Sequence, residues 1–358
     1  MTMTTELFET IAAIDPDQWD QLVAGRPFAN WRWLRATETL LGDSKSRYVI
    51  LSQDGVYQAG AVCLIQNRFH SRLLQSAMGW LPRFFPYVRC DMSLAIRSGL
   101  FFADATQFDR VIPALLTAVK TLAQSENALF YSFDHLLATD AAWPYLQALN
   151  LHRIAHFSEA SLDVHWATLE TYLESLAEPE CQELKRVQAV LRQQNIVLET
   201  AVPLNEDLAT LQNLVSDLAS SQKKPYRLPQ DLFSTTHRLL GDDFQLIVAR
   251  QDGRTIGCVI LLRDDQEWLV RWPGVSVTHP LQAEIYTALL VACVQQVILA
   301  GGQRLYLGVT APQMQKQLGA TLEKRFGATA VRNRFLHWLG GRLLKVTANP
   351  DADQSTTT

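Results

Sequence analysis

The run Glu267-Trp268-Leu269-Val270-Arg271-Trp272-Pro273-Gly274, with Leu281–Ala300 and Arg304-Leu305-Tyr306-Leu307-Gly308 behind it, decides the fold. Glu267–Trp272 is rich in aromatic and branched residues and stops at Pro273-Gly274, which predicts a strand ended by a turn. Leu281–Ala300 is long and apolar, as a buried helix is, and Arg304–Gly308 is a short apolar run, as a second strand is. Strand, helix and strand predict parallel pairing through a right-handed crossover. A lysine-bearing segment, Ala311–Ala320, closes the unit. Such a unit sets free backbone groups and a helix N-terminus where the sheet opens, a place that suits acyl or phosphate ligands.

Working back from this stretch, Phe244–Arg250 and Thr255–Leu262 flank Gln251-Asp252-Gly253-Arg254, a hairpin signal. Helices are expected over Glu206–Ser220, capped by Asn205, and over Gln230–Leu240, closed by Gly241. Ile196–Ala201 is extended, and Thr168–Gln194 is one helix or two, broken near Glu178-Pro179. Ser161–Trp166 opens this half as a strand.

The first half has the same order. A strand over Glu6–Ala13 leads to Asp15-Pro16, an N-cap followed by proline at the first helical position. A second helix carries Trp31, Leu34, Thr37 and Leu41 on one face. Arg47–Gln53 and Val56–Gln66 flank Asp54-Gly55, a two-residue hairpin turn. Leu73–Leu81 is expected as a third strand, ahead of the aromatic loop Trp80–Tyr87, which either lines a groove or shields a sheet edge. Helix Phe108–Gln124, strand Ala128–Phe133, helix Ala141–Leu149 and strand Leu151–Phe157 complete the half. The chain is therefore expected to hold two α/β domains, 1–160 and 161–348, with a frayed polar tail at 349–358.

The 358 residues are 48% hydrophobic and 19% charged, a balance that buries a core and excludes a disordered chain. A net charge of −4 argues against DNA or another dominant polyanion as partner. Cys63, Cys90, Cys181, Cys258 and Cys293 are scattered without a CxxC pair. Free thiols in a reducing cytoplasm are expected, with no disulfide frame and no metal site. No basic, apolar leader opens the chain, and Gln295-Gln296 interrupt its most apolar helix, so neither a signal peptide nor a membrane span is expected. No triad spacing, zinc ligand set, phosphate loop or dinucleotide fingerprint is present.

Three places carry a family likeness. Pro27-Phe28-Ala29-Asn30-Trp31-Arg32-Trp33-Leu34 resembles the opening of the first domain of the Fem-type peptidyltransferases. Tyr172-Leu173-Glu174-Ser175-Leu176 with Gln182-Glu183-Leu184-Lys185-Arg186 resembles the helix that starts their second domain. Tyr306-Leu307-Gly308-Val309-Thr310 and Lys316-Gln317-Leu318-Gly319-Ala320 resemble the closing segment. The chain as a whole resembles the GNAT superfamily in the tandem arrangement of Fem-type and BioF-like acetyltransferase-domain proteins. Each half is then a GNAT-like domain, a mixed central sheet flanked by helices. One departure stands out: Val275-Ser276-Val277-Thr278-His279-Pro280 replaces the glycine-rich loop that holds the CoA pyrophosphate in GNAT enzymes.

The resemblance implies an N-acyltransferase that moves an acyl group from acyl-CoA to a small-molecule or peptide amine. Donor contacts are then expected at Val270, Arg271, Trp272, Gly274, Gly308 and Lys316, with backbone N–H groups polarising the carbonyl where the strands part. Pro273-Gly274 is equally readable as a plain turn into the helix. Glu284 suits a base or amine anchor, although a carboxylate in a first helical turn also answers the helix dipole. Tyr286 suits protonation of a leaving thiolate. His279 and Tyr226 are the candidate substrate-binding residues, His279 being equally a plain surface residue and Tyr226 lying in a Pro-flanked loop where Fem-like relatives place a lid. Lys324 competes with Lys316 for the family lysine. The stripe Lys185, Arg186, Arg192 and the group Lys223, Lys224, Arg227 are solvated faces by default and phosphate contacts otherwise. The alternatives are an aminoacyl-tRNA-dependent amino-acid transferase, for which tRNA is a partner, and a catalytically silent protein that keeps the fold and holds a ligand.

Overall fold

The computed structural model describes residues 3–40, 44–67, 85–203, 206–221, 231–309 and 311–332. Two compact units divide the chain: Met1–Phe157 with Lys324–Thr358, and Ser158–Glu323.

In the first unit, β1 (Met3–Phe8) precedes α1 (Pro16–Leu22) and α2 (Trp31–Leu40). Asp15 caps α1, its Oδ1 accepting from the Gln18 amide at 2.9 Å, with Pro16 at the first position. The antiparallel strands β2 (Lys45–Gln53), β3 (Val56–Gln66) and β4 (Tyr87–Met92) follow. Asp54 and Gly55 both take left-handed φ, 53° and 80°, as the tight turn between β2 and β3 requires. Two short strands, β5 (Arg97–Ser98) and β6 (Leu100–Phe102), dress the sheet. Helix α3 (Phe108–Ser125) then crosses over to β7 (Phe130–Leu137), which pairs parallel with β4. After α4 (Trp143–Ala148) comes β8 (His152–Asp163). The sequence reads two strands there, Leu151–Phe157 and Ser161–Trp166, whereas a single strand runs through the expected boundary. Leu73–Leu81 lies outside the described residues; among the described residues β4 and β6 pair with β3 after the hairpin.

Trp19 anchors one face of this sheet. It is fully buried, donates Nε1–H to the Ala29 carbonyl at 2.9 Å, and meets Tyr48 and Phe101 edge-on. Gly60 on β3 gives it room: a Cβ there would lie 3.0 Å from the indole. Ile112, Leu115, Leu116 and Val119 of α3 are buried in the other core layer.

The second unit continues from β8. Helices α5 (Leu169–Ser175) and α6 (Glu178–Gln193) are separate, with Pro179 in the first turn of α6, where a proline starts a helix without losing a bond. Strand β9 (Ile196–Ala201), α7 (Leu208–Ser221) and α8 (Leu232–Leu240) lead to the meander β10 (Phe244–Gln251), β11 (Arg254–Asp264) and β12 (Glu267–Val275). Helix α9 (Gln282–Leu299) crosses to β13 (Arg304–Gly308), and α10 (Pro312–Gln317) follows. The expected parallel pairing is present: Glu267, Trp268 and Leu269 face Arg304, Leu305 and Tyr306. The sheet order is β8-β13-β12-β11-β10-β9. By length and composition α9 is apolar enough to cross a membrane. In this fold Ile285, Leu289, Cys293, Val294 and Val297 on it are fully buried in the unit's core.

The last described strand, β14 (Thr321–Val331), behaves differently. From Lys324 the chain returns to the first unit and pairs antiparallel with β7, Arg325 opposite Leu137 and Val331 opposite Phe130. The first unit's sheet then runs β1-β2-β3-β4-β7-β14. Lys324 is thus part of a sheet strand rather than of a second lysine-bearing loop.

Candidate functional site

In the second unit, β12 and β13 keep company only as far as Leu269 and Tyr306. Beyond Leu269, among the described residues, β12 pairs with β11 alone. Arg271 faces Ile260 and Gly274 faces Cys258, so Trp272 and Pro273 oppose the single residue Val259. That is a β-bulge, and it turns backbone groups away from the ladder. Trp272 sits at φ 46°, a left-handed conformation that is rare for a bulky residue. Its ring is buried, with the Arg271 guanidinium 5.1 Å from the ring centre. Gly274 has no room for a side chain: a Cβ would lie 2.6 Å from the Val215 amide nitrogen of α7. Gly308 ends β13 at φ 81°, facing the Val270 carbonyl. Val270, Arg271, Trp272, Gly274 and Gly308 therefore line the parting of the two strands.

The other expected residues fall into distinct environments. His279 sits in the turn before α9: its Nδ1 accepts from the Leu281 amide at 3.1 Å, and its Nε2 lies 3.1 Å from Gln251 Oε1. The partners assign the proton to Nε2. In the same turn the His279 amide donates to Ser276 O and the Gln282 amide to His279 O, both at 3.1 Å. Glu284 reaches Arg186 Nη2 of α6 at 3.5 Å. Tyr286 is buried in the core cluster. Lys316 is exposed, and its carbonyl closes a turn by accepting from Gly319 N at 2.8 Å. Its neighbour Gln315, not singled out from sequence, is the buried one, donating Nε2–H to the Leu307 carbonyl at 2.9 Å. Tyr226 lies outside the described residues. Among the described residues no cluster of His, Cys, Asp and Glu is arranged for a metal ion.

The first unit holds a polar centre that sequence reading missed. Its parallel pair β4–β7 runs only to Cys90 opposite Phe133. Just beyond, β7 bulges against β14: Leu136 faces Phe326, whereas Phe133 faces Ala328. His135 in this bulge has φ 62°. Arg89 Nε donates to Asp134 Oδ2 at 2.9 Å, and its Nη2 pairs with Asp91. His135 Nε2 lies 3.6 Å from Asp91 Oδ2, and His156 Nε2 lies 3.7 Å from Asp134 Oδ1. Ser93 and Ser132 donate to Asp91 Oδ1 and Asp134 Oδ2 at 2.5 and 3.1 Å. Burial pushes the His135 imidazole down to about 4, and burial lowers His156 as well. Both rings are therefore neutral at physiological pH, and the two carboxylates hold Arg89 firmly protonated against its own burial. The nitrogen His135 Nδ1 is buried without a hydrogen-bond partner among the described residues. One signal for this centre was present: Phe130-Tyr131-Ser132-Phe133-Asp134-His135-Leu136-Leu137 carries Asp134 and His135 side by side inside a largely apolar run. Ending that strand at Phe133 hid them.

No family profile matches the sequence, and no curated protein does. Solved structures do. FemX is similar over 93% of this chain and 99% of its own, at 13% identity and TM-score 0.64. A tandem GNAT protein from the clavulanic acid biosynthesis pathway covers 93% of this chain and 99% of its own, at 13% identity and TM-score 0.58. The C-terminal domain of a putative lysylphosphatidylglycerol synthetase from Agrobacterium fabrum covers 94% and 96%, at 14% identity and TM-score 0.56. The chain has the tandem GNAT fold of the Fem type. Within that fold, the strand parting at Leu269 and Tyr306 and the crossover helix α9 belong to the second GNAT-like unit. The polar centre around Arg89 sits at the corresponding parting of β4 and β7 in the first.

Proposed function

We propose that this protein is an acyl-group transferase that delivers an acyl carbonyl to an amine at the parting of β12 and β13. The observation that carries this reading is the parting itself: beyond Leu269 the side of β12 that β13 has left has no partner strand among the described residues, and the bulge against β11 at Trp272-Pro273 bends β12 there. Backbone N–H groups fixed there suit the oxyanion that forms when an amine attacks a thioester or ester carbonyl. Glu284, within the first turn of α9, is the base proposed for the amine proton, and Tyr286 the donor to the leaving group.

The donor expected from sequence is acyl-CoA. In the turn Val275–Leu281, Ser276 O, His279 O and His279 Nδ1 already accept from the amides of His279, Gln282 and Leu281, which leaves fewer amides for a pyrophosphate than a glycine-rich loop would. Lys316, an exposed cation on this unit's last helix, is the phosphate contact proposed for an acyl-CoA. The same turn favours a second reading, an aminoacyl ester on tRNA as donor, which needs no pyrophosphate cradle. A cytoplasmic setting goes with either, supported by five buried free cysteines.

Thermal stabilisation of the full chain by acetyl-CoA or a longer acyl-CoA, with release of free thiol when amines are added, supports the first donor. Stabilisation by aminoacyl-tRNA with transfer of labelled amino acid supports the second. Glu284→Gln is expected to lower turnover with the productive donor at least a hundredfold, roughly the worth of a general base. No binding and no transfer with either donor overturns the proposal.

A further inference from the structure

Within the second unit, a cleft of about 210 Å³ lies between α6, α9 and the strands β9 and β10. It is at the β9 edge of the sheet, two strands removed from β12 and so apart from the proposed transfer site. Val187 and Leu191 of α6, Ile247 of β10 and Val291 of α9 line it with apolar side chains. Ala288 and Ala292 line it from α9 with the smallest apolar side chain.

Two charged residues line the cleft, Arg192 and Glu199. Glu199 is already engaged, accepting from Arg250 Nε at 2.5 Å. Arg192 has no ion-pair or hydrogen-bond partner among the described residues, and neither do the amides of Gln188 and Gln295 beside it. A cation in the last turn of a helix suits the helix dipole, so the position of Arg192 alone implies no ligand. An unpaired cation lining the same cleft as these apolar side chains does.

We propose that this cleft binds an amphipathic monocarboxylate, with a short alkyl chain among the apolar side chains and the carboxylate on Arg192. A guanidinium recognises a carboxylate with two parallel hydrogen bonds, and the Gln188 and Gln295 amides supply further donors. The alkyl chain fills space lined by Val187, Leu191, Ile247 and Val291, side chains that are themselves buried and offer it an apolar surrounding.

Calorimetric titration of the full chain with octanoate, below its micellar concentration, tests the site against octylammonium, which has the same chain and the opposite head. Saturable one-to-one binding of octanoate, with octylammonium at least tenfold weaker, is expected. Arg192→Gln, an exposed change that leaves the fold intact, should weaken octanoate roughly tenfold or more, the usual worth of a charge-assisted contact. Ala292→Leu should abolish binding while circular dichroism is unchanged. Equal affinity for the two heads, unchanged affinity in Arg192→Gln, or no saturable heat would each overturn the assignment.

Discussion

Acidification should unlock the polar centre of the first unit, and the size of the effect follows from His135. Its ring is almost wholly buried, and burial outweighs the attraction of Asp91 and Asp134, taking it from an ordinary 6.5 to about 4. The unfolded chain therefore takes up a proton at a pH where the folded chain does not. Stability attributable to this group is complete above pH 6.5 and is lost as pH falls from there towards 4. At roughly 1.4 kcal/mol for each pH unit between the two values, the full loss is about 3 kcal/mol, with about 2 kcal/mol of it gone by pH 5. His156, lowered by burial in the same direction, adds to the slope. The perturbation that isolates His135 is His135→Asn, because asparagine tolerates the left-handed φ of 62° at that position and does not titrate. Urea midpoints by circular dichroism, taken from neutral pH down to about 5, give the slope for each protein. The wild type should lose stability faster than His135→Asn by about 2 kcal/mol over that range. Equal slopes, or an NMR titration placing the His135 ring near 6.5, would refute the reasoning.

Arg89→Leu should cost roughly 3–5 kcal/mol at neutral pH, because it strips the shared cation from Asp91 and Asp134, both nearly inaccessible to water; urea denaturation checks this. Gly274→Ala should destabilise by at least about 1–3 kcal/mol, since the new Cβ meets the Val215 backbone at 2.6 Å, which cannot swing aside as a side chain would. A thermal midpoint equal to wild type would show that α7 yields. Gly253→Ala, at φ 74° with open space around it, should cost only about 1 kcal/mol through backbone strain, measured the same way. Leu299→Gln, at an exposed helix end, should leave the midpoint within about 0.5 kcal/mol.

Much of the fold was legible because its signals are local. Asp54-Gly55 and Asp252-Gly253 turn the chain within two residues, and in both pairs each residue adopts left-handed φ. Pro179 and Pro16 start helices by fixing φ where no amide partner is needed. Glu267–Gly308 read as strand, helix and strand because apolar length and a Pro-Gly stop are visible along the chain itself. The candidate site was legible as a place and less so as chemistry. His279 looks from sequence like a free titrating group, yet its Nδ1 is spent on the Leu281 amide. Lys316 reads from sequence as a donor contact, while its buried neighbour Gln315, which holds that helix to β13, gives no signal along the chain.

By itself, then, the sequence determined two α/β halves, their hairpins and the crossover at Glu267–Gly308, since each depends on residues a few positions apart. Tertiary structure alone decided two things. It took β14 back to β7, setting Arg325 opposite Leu137, a pairing chosen by which sheet edge is open and not by any neighbour in the chain. It also gathered Arg89, Asp91, Asp134, His135 and His156 into one buried centre. Their charges settle one another only once the parting of β4 and β7 has removed water from between them, and no spacing along the chain records that event.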